Sequence, residues 1–456
     1  MNQFEDSICA PATALGGALS IIRISGPDAI ALAAALWRGR LALAELPARY
    51  LALGSLHGAD GSLIDRQCLA VRMPGPHSYT GEDMVELHCH GGALALRLTL
   101  QSLQTQGCRL AEPGEFTKRA FLNGKLDLSQ AEAVAELISA GSEKALNLAN
   151  AQLEGSFGRQ TRREYKHIMQ MLVEIESRLD FPEEDLNLDW LSPQQLQEDI
   201  ENMARRLEKM AAGRRQGEIL RHGISLVIAG PPNVGKSSLL NAILGQERAI
   251  VSELPGTTRD SIEAGLSLRG IPIRLIDTAG LRRGGDPIER IGMQRSRNSM
   301  AAADIIFWVM DASLPLPEQL DDAELPPDKV IYVANKMDRL PSPPPNNPGK
   351  FSQGELFYTC ALDGTGLEEL YEGLEARVWQ GTENQPDEFC LSARHADCLQ
   401  KARLELLAGA AQLEVQAWEL AAANLRLALA QVGEITGEQV SEQILQGIFA
   451  KFCIGK

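Results

Sequence analysis

Several things are scarce or missing in this 456-residue chain, and each absence narrows the field. None of its eight cysteines forms a C-x-x-C pair, which removes ribbon-type zinc sites and dithiol redox motifs and suits a reducing compartment. No apolar run approaches membrane-spanning length, and the first residues lack a basic leader, so a soluble cytoplasmic protein is expected. Positive charge is in deficit: the formal net charge is −16, whereas a dedicated nucleic-acid binder carries a basic footprint. RNA contact therefore requires a local patch. Neither flank of the chain shows an internal repeat. His88 and His90 share a strand face around Cys89, but no third ligand stands at recognisable spacing, so structural roles are expected for both. Cys453 stands fourth from the end, where a prenylated cysteine would stand. Gly455 and Lys456 fit that pattern poorly and no polybasic signal supports it, so lipidation is not expected.

What is present is most informative in the middle. The apolar run Ile224–Ala229 reads as a strand, and it ends in Gly230-Pro231-Pro232-Asn233-Val234-Gly235-Lys236-Ser237; a helix is predicted from Ser237 to Leu244. Strand, glycine-rich loop and helix N-terminus together aim backbone N–H groups at phosphates. Lys236 is placed for the β- and γ-phosphates and the Ser237 hydroxyl for Mg²⁺. A second strand, Ile273–Ile276, delivers Asp277-Thr278-Ala279-Gly280, with the Asp277 carboxylate for Mg²⁺, directly or through water, and the Gly280 N–H for a γ-phosphate. Ile305–Met310 and Val330–Ala334 read as buried parallel strands. The latter carries Asn335-Lys336-Met337-Asp338 at its C-terminal end, where open α/β sheets bind ligands. A carboxylate at 338 can accept from guanine N1–H and the exocyclic amine. Adenine has neither donor in that place, a discrimination worth up to about 10⁴–10⁵. The three signatures point to GTP.

One absence recurs inside them. The residue after Gly280 is Leu281, where many GTPases place a water-orienting glutamine. Asp286 and Glu289 are the nearby acceptors, and Arg282, Arg283 and Arg290 the nearby cations; the plain reading of each is a solvated face.

Around this core the texture changes twice. Residues 1–120 mix strand-like runs (Ser20–Ile24, Cys68–Met73, Met84–His88) with helical ones (Ala29–Leu36, Ala93–Gln106), the pattern of a small α+β domain. From Leu126 to Arg221 Ala, Leu, Glu and Gln dominate and proline is confined to Pro182 and Pro193, so an all-helical segment is predicted. Helical texture returns after Pro386, with Leu399, Ala402, Leu406 and Leu413 in phase. Ser441 there reads as an N-cap before the stripe Ile444, Leu445, Ile448, Phe449 and Phe452. The expected architecture is multidomain α/β and α+β: an N-terminal α+β domain (1–120), a helical domain in two parts (121–222 and 380–456), and a Ras-like P-loop GTPase domain (223–379) inserted between them. Pro341–Pro348 is a surface loop inside that insert.

Beyond the core motifs stand Ile21-Ile22-Arg23-Ile24-Ser25-Gly26, Pro74-Gly75-Pro76, Ser78-Tyr79-Thr80-Gly81-Glu82-Asp83 and His90-Gly91-Gly92. To these are added the segment Pro113 to Lys125, Gly256-Thr257-Thr258-Arg259-Asp260, and the terminal Phe452-Cys453-Ile454-Gly455-Lys456. On these the chain resembles the MnmE (TrmE) family of tRNA modification GTPases over essentially its whole length.

The resemblance implies a homodimer joined through N-terminal domains that bind a 5-formyltetrahydrofolate-type one-carbon folate. It implies an FAD- and NADH-dependent partner of the MnmG (GidA) type and tRNA as substrate. The expected product is an aminomethyl or carboxymethylaminomethyl group at C5 of the wobble uridine. By the same resemblance, Asn233, Ser252, Leu254 and Thr257 surround K⁺, Ser237 and Thr258 fall on Mg²⁺ positions, and Glu289 falls on the glutamate that organises water. The nucleotide contacts implied are Asn233, Val234, Gly235, Lys236, Ser237 and Ser238; Ser252, Glu253, Leu254, Pro255, Gly256, Thr257 and Thr258; Asp277, Thr278, Ala279 and Gly280; Asn335, Lys336 and Asp338; and Cys360 with Ala361. The base-covering loop reads Thr359-Cys360-Ala361 where the family has Ser-Ala, and its backbone N–H still suits guanine O6. Arg23, Glu86, Lys125 and Lys456 match the folate positions, with cations for a glutamate tail and a carboxylate for pterin donors. Cys453 matches a cysteine implicated in the modification chemistry; the alternative is an apolar thiol packed beside Phe449 and Phe452. Two other classes compete: a GTP-switched ribosome or ribonucleoprotein assembly factor, and a stand-alone one-carbon-transfer enzyme with a regulatory GTPase. The first has no need of a folate site, and the second lacks an evident acid–base pair.

Overall fold

The computed structural model describes residues 5–14, 16–180, 191–246, 264–276, 299–320, 326–344, 349–351, 354–379 and 391–456. Two compact units divide the chain. One comprises Met1–Ala135, Gln152–Ala204 and Lys401–Lys456; the other comprises Glu136–Ala151 and Arg205–Gln400. The first unit thus has chain segments on both sides of the second.

The first unit begins with the strands β1 (Ile8–Pro11), β2 (Leu19–Ser25), β3 (Trp37–Gly39), β4 (Ala52–His57), β5 (Leu63–Met73), β6 (Met84–His90) and β7 (Arg109–Leu110). They form one sheet in the order β3-β4-β5-β6-β2-β1-β7, antiparallel except for the β1–β7 pair. Alternation drives it: Ile22 and Ile24 are fully buried while Arg23 between them points to the other face. Full burial of such an isoleucine contributes about 1.5–3 kcal/mol. Helices Ala29–Leu36 and Ala93–Thr105 pack beside the same core through Leu32, Leu36, Leu96 and Leu103. The strands and helices expected here are present, with β5 longer than its apolar stretch suggested. β1, β3, β4 and the two-residue β7 were not foreseen: β1 and β7 are short, and exposed Leu53 and the paired glycines Gly39 and Gly54 break the alternation of β3 and β4.

The helical part of this unit follows the 3.6-residue rule. In Ser156–Asp180 the buried positions include Phe157, Thr161, Glu164, Ile168, Met171 and Ile175, one stripe along 25 residues. It lies against Trp418–Thr436. The helix Glu442–Phe449 starts at Ser441, whose hydroxyl accepts from Ile444 N–H at 3.4 Å, and buries Leu445, Ile448 and Phe449 with Phe452. Leu399, Ala402, Leu406 and Leu413 are all buried along Ala393–Glu414, a helix whose first residues to Gln400 are counted in the second unit.

The second unit is built on β8 (Ile224–Ala229), β9 (Ala264–Leu268), β10 (Ile271–Leu275), β11 (Ile305–Asp311), β12 (Val330–Asn335), β13 (Gly349–Phe351) and β14 (Gly354–Tyr358). Their order is β13-β14-β12-β11-β8-β10-β9, with a parallel centre and an antiparallel pair at each edge. Every residue of β11 and β12 is buried, as strands covered on both faces require. Helices Lys236–Gln246 and Leu367–Val378 contribute Leu239, Leu240, Ile243, Leu370 and Leu374 to the core. This is the parallel-centred α/β sheet expected of the nucleotide motifs; the N-terminal α+β sheet belongs to the first unit. Among the described residues no helix is long and apolar enough to cross a membrane.

Candidate functional site

In the second unit, the C-terminal ends of β8, β11 and β12 bring the nucleotide motifs together. The loop after β8 turns on three left-handed residues, Gly230 (φ 138°), Asn233 (φ 64°) and Gly235 (φ 97°). A Cβ on Gly230 would sit 2.1 Å from the Val309 carbonyl, and one on Gly235 would sit 2.3 Å from the Asn335 side-chain nitrogen. Both glycines are fixed by close approach as well as by φ. The loop leads into Lys236–Gln246, with exposed Ser237 and Ser238 at its start. Lys236 Nζ donates to the carbonyls of Gly230 at 2.9 Å and Pro231 at 2.6 Å. Burial lowers its ammonium below the usual lysine value, whereas anionic phosphates would restore the charged form.

Asn335 is the tie between phosphate loop and base loop. It is buried at the end of β12; its Nδ2 donates to the Val234 carbonyl at 3.0 Å, and its Oδ1 accepts from Ala361 N–H at 3.1 Å. Lys336 follows in the left-handed region, φ 65°, and its Nζ donates to the Asn233 carbonyl at 2.6 Å and to Asp311 Oδ2 at 2.7 Å. Asp338 is exposed, and the Cys360 thiol donates to its Oδ1 at 3.4 Å. The Met337 N–H donates to the Thr359 carbonyl at 3.0 Å, joining the two base-side loops. A cavity of about 300 Å³ opens beside Asp338 and Cys360, walled by Leu340, Pro341 and Thr365.

Thus Asn233, Val234, Gly235, Lys236, Asn335, Lys336, Asp338, Cys360 and Ala361 converge, as one nucleotide site demands. Ser252, Glu253, Leu254, Pro255, Gly256, Thr257, Thr258, Asp277, Thr278, Ala279, Gly280, Leu281 and Glu289 lie outside the described residues. Of the residues expected around K⁺ and Mg²⁺, Asn233 and Ser237 are among the described ones. The Asn233 carbonyl is engaged by Lys336, while its exposed side chain adjoins the loop mouth with a neutral oxygen of the kind K⁺ takes. The Ser237 hydroxyl stands at the helix N-terminus, as a Mg²⁺ ligand should. Sequence reasoning missed Asp311. Its signal was an acid ending the wholly buried strand Ile-Ile-Phe-Trp-Val-Met-Asp.

In the first unit, Arg23 and Glu86 are direct partners across β2 and β6. Arg23 Nε and Nη2 both donate to Glu86 Oε1, at 3.0 and 2.8 Å, and Nη1 donates to the Gly455 carbonyl at 3.3 Å. Its guanidinium lies 5.5 Å from the Tyr79 ring and 5.7 Å from the Phe116 ring. His88 Nε2 stands 3.5 Å from Glu86 Oε2. His88 and then Arg23 hold the Glu86 carboxyl at about 2, against the opposing pull of burial. The C-terminal turn reaches this place because Gly455 (φ 92°) nests where a Cβ would meet the Pro11 carbonyl at 2.1 Å. Gly114 N–H also donates to the Cys453 carbonyl at 3.5 Å. Cys453 itself is exposed, which overturns the packed-thiol alternative: Phe449 and Phe452 are buried while the thiol points out. Lys125 Nζ donates to the Pro76 carbonyl at 3.0 Å and stays exposed, with its stem beside Gly81; no contact joins it to Arg23 or Glu86 among the described residues. Lys456 N–H donates to the Cys453 carbonyl at 3.4 Å, which closes the turn. Glu86 Oε2 is an acceptor and exposed Lys125 a cation, the two kinds of group that a folate's pterin donors and glutamate tail would take. His90 is paired with Asp65 at 2.9 Å, and no three-ligand metal cluster exists among the described residues.

Beneath lies a buried ionic platform. Arg119 is fully buried; it donates to Glu82 at 3.3 Å, to Glu115 at 3.0 Å and to Asp6 at 2.8 Å, and Glu82 also accepts from Ser25 at 2.8 Å. A charge so placed is tolerable only with all these partners.

Comparison with known proteins agrees with both halves. Residues 7–125 match the family described as the GTP-binding protein TrmE N-terminus, and residues 128–453 match the MnmE helical domain. A "tRNA modification GTPase MnmE" of Synechococcus sp. (strain JA-3-3Ab) is 42% identical, over 99% of this chain and 98% of that one. The protein of the same name from Chloroflexus aurantiacus is 42% identical over 99% and 100%, and that from Stutzerimonas stutzeri 42% over 99% and 99%. Among solved structures, the G domain of the T. maritima FeoB iron transporter is 26% identical and covers 34% of this chain and 98% of its own, at a TM-score of 0.23, too slight a likeness to bear weight.

Proposed function

This chain belongs to the MnmE (TrmE) family of tRNA modification GTPases, and from that premise we propose a K⁺-stimulated GTPase that enables modification of the wobble uridine. Working with an FAD-dependent MnmG-type partner, it adds an aminomethyl or carboxymethylaminomethyl group to C5 of that base in certain tRNAs. What supports this reading is that the likeness runs through the N-terminal and helical parts, which GTP hydrolysis alone does not need.

The chain's own residues divide the work. Asp338 reads the guanine edge, Ala361 N–H turns from Asn335 Oδ1 to the guanine O6, and Asn335 Nδ2 keeps the base loop in register with the phosphate loop. Lys236 exchanges its carbonyl partners for phosphate oxygens and steadies charge as it develops. Glu289 orients the attacking water in place of the missing glutamine after Gly280. Asn233, Ser252, Leu254 and Thr257 would hold K⁺, and Ser237, Thr258 and Asp277 would hold Mg²⁺. Those cations, when bound, offset charge on the transferred group.

In the first unit, Arg23, Glu86, Lys125 and Lys456 would hold a one-carbon folate, which when bound supplies a one-carbon unit. Exposed Cys453 stands at the turn that carries Gly455 to Arg23. We assign the division 1–120, 121–222, 223–379 and 380–456 to these parts, with the homodimer formed through the first.

The test is GTP hydrolysis by the full chain in K⁺ and then in Na⁺. Faster turnover in K⁺ together with association of the GTPase domains is expected; equal rates without association would refute the mechanism. Glu289→Ala should keep nucleotide affinity and lose most hydrolysis, and a loss of affinity instead would refute its role.

A further inference from the structure

Two non-glycine residues at the mouth of the phosphate loop have left-handed backbones: Asn233 at φ 64° and Lys336 at φ 65°. Such a conformation costs free energy outside glycine, more for lysine than for asparagine, and persists only where the surroundings over-determine it. The two are joined to each other, since Lys336 Nζ donates to the Asn233 carbonyl at 2.6 Å. The second partner of that ammonium is the carboxylate of Asp311, 25 positions earlier, at 2.7 Å.

Asp311 is itself rigidly held. It ends β11 opposite Asn335 in the parallel ladder and is 7% exposed. Its N–H donates to Gln319 Oε1 at 2.7 Å, and its Oδ1 accepts from Ser313 N–H at 3.0 Å and from the Ser313 hydroxyl at 2.6 Å. Only Oδ2 faces Lys336. Burial would raise its carboxyl, and Lys336 and the Ser313 turn more than reverse this, so the group is an anion at neutral pH.

We infer that Asp311 is a positioning residue for guanine-nucleotide binding: its Oδ2 aims the Lys336 ammonium across the phosphate loop and so locks base motif and loop into one body. It touches neither base nor phosphate and acts through Lys336. The inference rests on the reading of Asn335–Asp338 as the guanine motif. A charge-assisted bond to a shielded carboxylate fixes a long side chain that water would otherwise leave among many rotamers. Without it, Lys336 loses one of two anchors, and the left-handed pair loses the bond that holds it.

The test uses the full chain and a fluorescent GDP analogue, with equilibrium affinity measured for Asp311→Asn, Lys336→Met, the double variant and Ser313→Ala. Asparagine keeps an oxygen for the Ser313 turn while removing the charge from Lys336. Asp311→Asn is expected to weaken binding roughly tenfold in a chain that stays folded by circular dichroism, as loss of one charged hydrogen bond does. The double variant should bind within about twofold of Lys336→Met alone, because the two residues act as a unit. Ser313→Ala removes the hydroxyl bond to Oδ1 but keeps the backbone one and the charge on Oδ2, so it should weaken binding less than Asp311→Asn does. Unchanged affinity in Asp311→Asn, multiplied losses in the double variant, or an equal loss in Ser313→Ala would each overturn the inference. Wild-type affinity in Lys336→Met would instead remove the guanine-motif reading, and the inference with it.

Discussion

The phosphate loop and the Arg23 region keep their cations in opposite ways. Lys236 of the phosphate loop rests on backbone carbonyls, which are neutral and readily exchanged for an anionic oxygen. Arg23 is locked onto a carboxylate, and its remaining arm is engaged by a carbonyl from the far end of the chain. A lysine waiting on neutral oxygens is poised to trade partners when phosphate arrives. A neutralised arginine near two rings is instead a fixed group that presents little net charge. The first arrangement suits an anion that comes, is cleaved and leaves. The second suits a cofactor that is held, and it makes the C-terminal turn part of the holding.

That contrast can be broken first at its strongest point. Lys236→Ala should lower kcat for GTP on the order of 10²–10³-fold, since it removes charge stabilisation on the transferred group; steady-state hydrolysis measures it. Binding of formyltetrahydrofolate by the same variant should be unchanged, and a parallel loss would erase the distinction between the regions.

Next comes Gly455→Ala. Its Cβ would meet the Pro11 carbonyl at 2.1 Å on a backbone at φ 92°, so the C-terminal turn must lift from Arg23. A cost of about 2 kcal/mol corresponds to a roughly thirtyfold loss of folate affinity by calorimetry, with GTP turnover within about twofold of wild type.

Acid sharpens the comparison further. Glu86 is held at about 2, below its unfolded value, so its pairing stabilises the fold fully above about pH 4.5 and is lost as pH falls through about 2. The stability gap between wild type and Glu86→Gln should therefore narrow by about 1–2 kcal/mol between pH 7 and pH 3, read from denaturant unfolding of the N-terminal tryptophan signal. A gap independent of pH would mean that the pair is not ionic. The smallest effect is expected at Cys360: serine, which can still donate to Asp338, should bind GDP within about twofold of wild type, whereas valine should weaken it about fivefold.

The two regions also differ in how far the sequence alone discloses them. The nucleotide site is made of contiguous runs at strand ends, so Gly230–Ser237 and Asn335–Asp338 announce both chemistry and position. The tie made by Asn335 and the hold of Asp311 on Lys336 were not legible, because they depend on which strands lie side by side. β8, β11 and β12 are neighbours in space but up to a hundred residues apart along the chain. The Arg23 region is the extreme case. Arg23 and Gly455 are separated by 432 positions, and nothing in either segment's pattern pairs them; likeness to a family grouped Arg23 with the neighbouring Lys456 and not with Gly455. Cys453 shows the same limit from the other side, since an apolar stripe beside it suggested burial and the turn after Phe452 exposes it.

The central claim is that nucleotide turnover in one unit and the Arg23–Glu86 site reached by the C-terminal turn in the other serve a single modification. The direct measurement is the nucleoside profile of tRNA from cells lacking this chain, complemented with wild type, Lys236→Ala or Gly455→Ala. Wild type should restore the C5 group on wobble uridine and each variant should fail to restore it fully. Wobble uridines that stay modified without the chain, or full restoration by both variants, would contradict the account.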